Sequence, residues 1–187
     1  KNRTLYTLSN ALLVNSNSLL LSCIKFNNVV NNHIDINNFN GVIIKVSDND
    51  FSEVYSNPKH NINKIFSVNN VYYAVGSNNL ILKSNDQGSS WTVLPTKNDY
   101  FINDVFFLNE NTGYFVGSNK DEGFLLITYD GCKTWLYKEI PNSKNLRSVY
   151  AISKESLIIL GNESKIYCTG NGCENFCRIE LGNIIIP

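Results

Sequence analysis

The sequence predicts an all-β fold of tandem four-stranded blades of the β-propeller type, about four of them in 187 residues. Three observations predict it. A frame of the form Ser/Thr-x-Asp/Asn-x-Gly/Cys-x-x-aromatic recurs at Ser84 to Trp91, Thr128 to Trp135 and Thr169 to Phe176. With Asp48, Asp86, Asp130 and Asn171 as markers, the spacings are 38, 44 and 41 residues. Between the frames lie short β-branched and aromatic runs bounded by turn residues, and no segment sustains an apolar period of about 3.6 residues. A single such sheet cannot bury both faces, so neighbouring units must stack to form a core.

The first unit is expected over residues 4–58. Leu12-Leu13-Val14 and Leu19-Leu20-Leu21 are its inner strands, and the Asn-rich stretch 27–40 reads as an enlarged loop. Its frame at Ile43 to Asp48 is degenerate: Val46 replaces the hydroxyl, and Glu53 stands where an aromatic is expected. The second unit, 61–99, has strands at Lys64-Ile65-Phe66 and Val71 to Val75. A glycine turn at Gly76 and a third strand then lead to Ser84, Asp86 and Trp91. The third, 101–142, has strands at Asp104 to Phe107 and Tyr114 to Val116, then Gly117 and the set Thr128, Asp130 and Trp135. Eleven residues separate Gly117 from Thr128 where the neighbouring units have eight, which implies an insertion around Asp121 to Gly123. The fourth, 145–182, has strands at Ser148-Val149-Tyr150 and Leu157 to Leu160, then Gly161, Thr169, Asn171 and Phe176. Residues 183–187 stand where a further blade would begin. Ile184-Ile185-Ile186 is β-branched throughout, and its expected partner is Leu5 to Leu8 of the same chain or of a neighbouring one. The whole chain reads as one repeat domain, either a closed four-bladed ring, part of a larger propeller, or an open stack completed by other subunits.

These frames resemble the Asp-box, or BNR repeat, of sialidases, sortilin-type receptors and the photosystem II assembly/stability factors. Gly113-Tyr114-Phe115-Val116-Gly117 and Thr128-Tyr129-Asp130-Gly131 are most similar to the last group. The resemblance covers residues 60 to 180 well and the first 58 poorly. It implies that the Asp-box turn lies at the propeller periphery, away from the ligand face, and that Ser84, Asp86, Trp91, Thr128, Asp130, Trp135, Thr169, Asn171 and Phe176 are structural. The chemistry agrees: the Asp accepts bonds from turn N–H groups, and Asn171 keeps the acceptor oxygen where a catalytic carboxylate would be lost.

Composition narrows the function. Sixteen basic and sixteen acidic residues cancel, so no global field favours nucleic acid or an anionic membrane. No apolar run approaches the roughly 20 residues a membrane-spanning helix needs. Asn fills 31 positions, part of which short hairpins account for. A sialidase needs clustered arginines to clamp a carboxylate, and the chain has only Arg3, Arg147 and Arg178. No Gly-x-Ser-x-Gly elbow, phosphate loop or His-Glu-x-x-His is present. The expectation is therefore no enzyme, no catalytic residue, no metal and no cofactor.

Met is absent, so the chain is expected to be trimmed from a longer product, which leans toward a secreted, extracellular protein. In that compartment Asn2 and Asn162 are candidate glycan acceptors. Cys168 and Cys177 flank one turn and are the candidate disulfide, with burial as free thiols the alternative; Cys132 and Cys173, on equivalent turns of adjacent units, should be too far apart to bond. The leading function is a non-catalytic scaffold that binds another protein. The alternatives are a secreted structural subunit polymerising by strand exchange between copies, and a degenerate sialidase-like module that binds a glycan.

Overall fold

The computed structural model of the chain describes residues 3–30, 33–48, 50–96, 100–120, 122–163 and 165–180. Every regular element among them is a strand, as the alternating pattern requires. The first sheet runs β1 (Arg3–Asn15), β2 (Ser18–Val30), β4 (Phe39–Ser47), β5 (Asp50–Pro58), with β3 (His33–Ile34) paired to the far end of β2. The second is β6 (Ile62–Val68), β7 (Val71–Gly76), β8 (Ile81–Ser84) and β9 (Thr92–Val93), in that order. The third is β10 (Phe101–Phe107), β11 (Gly113–Asn119), β12 (Glu122–Thr128) and β13 (Leu136–Glu139). The fourth is β14 (Ser148–Ala151), β15 (Leu157–Leu160), β16 (Lys165–Thr169) and β17 (Cys177–Glu180). All neighbours are antiparallel, and strand order follows chain order, so each sheet is a meander of the kind that forms a propeller blade.

The first sheet departs from expectation in two places. Leu5 to Leu8 and Leu12 to Val14 form one continuous strand, because Leu5 and Leu8 pair with Phe26 and Cys23 in β2. The Asn-rich stretch is partly a hairpin rather than a loop: Val29 pairs with Ile34, and Phe26 with Phe39. Asn tolerates both strand edges and turns, so its enrichment alone does not separate the two.

The chain forms two compact units, 1–98 and 99–187. The cores explain the division. In the first unit Leu20 and Ile43 of the first sheet pack on Ile62, Ile65, Ala74 and Leu82 of the second, all almost fully buried. In the second unit Val116, Leu125 and Ile127 of the third sheet pack on Val149, Leu157 and Ile159 of the fourth. Each buried Leu or Ile stabilises by about 1.5–3 kcal/mol.

Gly76 and Gly117 end up in strands, not turns. The register slips between Ile62 and Lys64 in β6, and between Ile102 and Asp104 in β10, bulging each first strand toward its neighbour. A Cβ at Gly76 would lie 1.8 Å from the Asn61 carbonyl oxygen, and one at Gly117 1.8 Å from that of Phe101. Close backbone approach is what requires glycine there.

A polar pin joins the first strands of paired sheets. Just past its own bulge, Asn10 Oδ1 in β1 accepts the Ile65 N–H of β6 at 3.0 Å. In the second unit Asp104 Oδ2 accepts the Val149 N–H at 3.0 Å and the Ser148 hydroxyl at 2.7 Å. Asp104 is buried, where such bonds offset the penalty of removing a carboxylate from water.

Candidate protein-binding surface

The recurring turns set where side chains can be offered. Ser84 Oγ donates to Asp86 Oδ1 at 2.7 Å and accepts the Gly88 N–H at 2.9 Å. Asp86 then accepts the Ser90 N–H at 2.9 Å and the Ser90 hydroxyl at 2.6 Å. The third sheet repeats the scheme with Thr128, Asp130, Cys132 and Thr134 at 2.9, 2.8, 2.9 and 2.6 Å. In the fourth, Thr169 donates to Asn171 Oδ1 at 2.9 Å, and that oxygen accepts the Asn175 N–H at 3.2 Å. The fifth position of each frame is left-handed: Gly88, Cys132 and Cys173 have φ of 76°, 73° and 66°. At Gly88 a Cβ would also meet Leu20 Cδ1 at 2.5 Å.

The bonds from Ser90, first its hydroxyl and then its N–H, hold the Asp86 carboxyl well below the ordinary range. Thr134 does the same for Asp130, lowering it to about 2. Both carboxylates serve their own turn. Trp91 donates its indole N–H to Gly88 O at 3.2 Å and packs on the core of the first unit. Trp135 stands edge-on to Phe115 at 5.1 Å, and Phe176 packs on the core of the second unit. All three aromatics are half-buried.

Sequence reasoning missed five residues. Ser90 and Thr134, six residues after the first hydroxyl, close the carboxylate from its far side, and their common spacing was the available signal. Lys45 donates to Gln87 O at 3.0 Å and Lys138 to Cys173 O at 2.9 Å, so a lysine from one sheet caps the turn of the next. His60 is half-buried with Nδ1 3.2 Å from Ser77 O.

The remaining predicted positions fall as follows. Cys168 and Cys177 are direct register partners on β16 and β17 and are free thiols in this structure, as are Cys23 and Cys173. Burial pushes the Cys173 thiol up to about 11. Asn162 is half-buried, and its Oδ1 accepts Arg147 Nε at 2.5 Å. Asn2 and residues 183–187 lie outside the described residues.

Among the described residues, the concave surfaces include one of about 550 Å³ in the first unit and one of about 660 Å³ in the second. In the first sheet, the face opposite the second sheet is apolar in register: Leu8, Cys23 and Val42 align across three strands, as do Leu13, Leu19, Val46 and Phe51 across four. A cleft of about 550 Å³ runs over Leu8, Leu21, Ile44, Val46 and Phe51, with Cys23 beneath. Leu8, Leu13 and Phe51 are 61%, 69% and 65% exposed, although Cys23, Val42 and Ile44 between them are buried. At one rim Glu53 Oε1 accepts both the Tyr6 hydroxyl, at 2.5 Å, and Lys25 Nζ, at 2.6 Å. The second unit has a more polar groove of about 660 Å³ lined by Tyr137, Lys138, Tyr167, Phe176 and Arg178.

No family model matches the chain, and no curated protein matches its sequence. Its likeness is to solved β-propellers. A structure of YCF48 bound to D1 peptide superposes with TM-score 0.57 at 13% identity, covering 96% of this chain and 70% of that one. The WD40 β-propeller domain of Doa1 superposes with TM-score 0.57 at 11% identity, covering 96% and 72%. An ancestral GH74 enzyme superposes with TM-score 0.59 at 15% identity, and this chain spans only 24% of its length. At such identities the likeness is one of fold, and the fold is the β-propeller blade repeated in tandem.

Proposed function

We propose that this chain is a non-catalytic protein-binding module of β-propeller type whose turns belong to the Asp-box kind. Its partner brings an apolar β-surface to the exposed residues Leu8, Leu13 and Phe51 on the first sheet's face opposite the second. The observation that carries this reading is the row of exposed Leu8, Leu13 and Phe51 around buried Cys23, Val42 and Ile44. Exposed apolar patches of this kind mark interaction sites. The opposite face of the same sheet is covered by another apolar sheet, so a surface of like chemistry fits here by continuation. The Glu53, Lys25 and Tyr6 cluster supplies the polar rim typical of such interfaces.

A non-catalytic role is favoured by the state of the acidic residues: Asp86 and Asp130 are spent on their own turns, and Asp104 on Val149 and Ser148. That YCF48 was captured with a bound peptide lends the reading support by fold analogy alone. A secreted, extracellular setting, with Asn162 glycosylated, belongs to the same proposal.

Peptides selected from a random library against the purified chain, mapped by hydrogen exchange, test the reading. The expected footprint is slowed exchange in β1, β2, β4 and β5. A footprint on the 660 Å³ groove of the second unit, or no selected binders, would refute it. Sedimentation at rising concentration separates the case in which the partner is a second copy of the chain.

A further inference from the structure

Among the described residues β17 is an edge strand of its sheet and four residues long, with Cys177, Arg178 and Ile179 all exposed. Short edge strands are the elements that open most easily. Cys177 on this strand stands directly opposite half-buried Cys168 on β16. Directly opposed residues of an antiparallel pair have Cα atoms about 4.5–5.5 Å apart and side chains on one face. That separation lies inside the range of roughly 4.4–6.8 Å that a disulfide spans. The segment between them is the Thr169 to Phe176 turn, closed by its own hydrogen bonds, so the sheet register and the turn together hold the two cysteines opposite each other.

We propose that Cys168 and Cys177 form a reversible cross-strand disulfide that locks β17, and with it Phe176 and Arg178 of the groove, onto the fourth sheet. The oxidant is a low-molecular-weight disulfide such as oxidised glutathione. The exposed Cys177 thiolate attacks one sulfur of that disulfide, releases one glutathione thiolate and forms a mixed disulfide. Cys168 then loses its proton and displaces the second glutathione, so two protein thiols become one disulfide while one glutathione disulfide becomes two thiols.

The pairing is selective. Cys173 is buried, and its thiol is held protonated at neutral pH. Burial and the nearness of Cys177 also push the Cys168 thiol up, which makes the exposed Cys177 the point of entry. Because Cys177 stays accessible, the bond is open to reduction by the same route.

The test uses the full chain equilibrated in glutathione buffers from reducing to oxidising, followed by alkylation and mass spectrometry. The expected oxidised form has lost two hydrogen masses, with Cys168 and Cys177 protected and Cys173 still free. Hydrogen exchange of the β17 amides should slow by about tenfold or more on oxidation and recover on reduction. C173S should retain the link, whereas C168S should stop at a glutathione adduct on Cys177. A link through Cys173, or full alkylation of Cys168 and Cys177 in the oxidising buffer, would overturn the proposal on wild-type protein, whatever the variants do.

Discussion

Asp130 collects three bonds on Oδ1 and one on Oδ2, all from residues within four positions of it. Such local satisfaction is why the frame is legible: the hydroxyl, the Asp and the left-handed residue sit at fixed short spacings. Its lowered pKa has a pH consequence. A carboxyl that titrates lower folded than unfolded contributes stability that is full above its unfolded value, near 3.9. That contribution is lost as the pH falls through about 2. Urea midpoints between pH 5 and pH 2 should therefore fall for the wild type more than for Asp130→Asn, and Thr134→Val should shift the loss to higher pH.

Asp104 was not legible as a pin, because its partners Ser148 and Val149 are 44 and 45 residues away and no local pattern announces them. Asp104→Ala should destabilise by about 2–4 kcal/mol, leaving a buried N–H unpaired. Asp104→Asn should be milder, since Asn10 performs the same task in the first unit. Equal losses for both variants in denaturant titration would show that charge, not acceptor geometry, matters.

At the level of the element, the strands were readable from alternation, but the reason for their glycines was not. Gly76 and Gly117 look like turn residues after an apolar run, whereas the requirement comes from a bulge in the preceding strand. Gly117→Ala should destabilise by about 2 kcal/mol or more, because the obstructing atom is backbone and cannot rotate away. Thermal unfolding measures it, and an unchanged Tm would mean that the bulge relaxes freely. Trp135→Ala should cost about 3 kcal/mol through the lost contact with Phe115. Because Trp135 is half-exposed, the effect should not exceed that of a fully buried aromatic such as Phe115.

Across the whole molecule, the repeat and its blade architecture were visible in the spacing of the frames, and the pairing of blades into two units was not. That pairing depends on which apolar face meets which, as at Ile62 and Leu20, and alternation leaves both faces of a blade eligible. The same ambiguity hid the candidate surface. Leu8 was legible only as part of a strand and Phe51 not at all, yet both stand exposed on the first sheet. The most direct test of the central claim is a calorimetric titration of the L8D/F51D variant with a peptide selected on the wild-type chain. The account predicts that affinity falls about tenfold or more, with Tm within about 2 °C of wild type because neither side chain is buried. Undiminished affinity in this well-folded variant would contradict it.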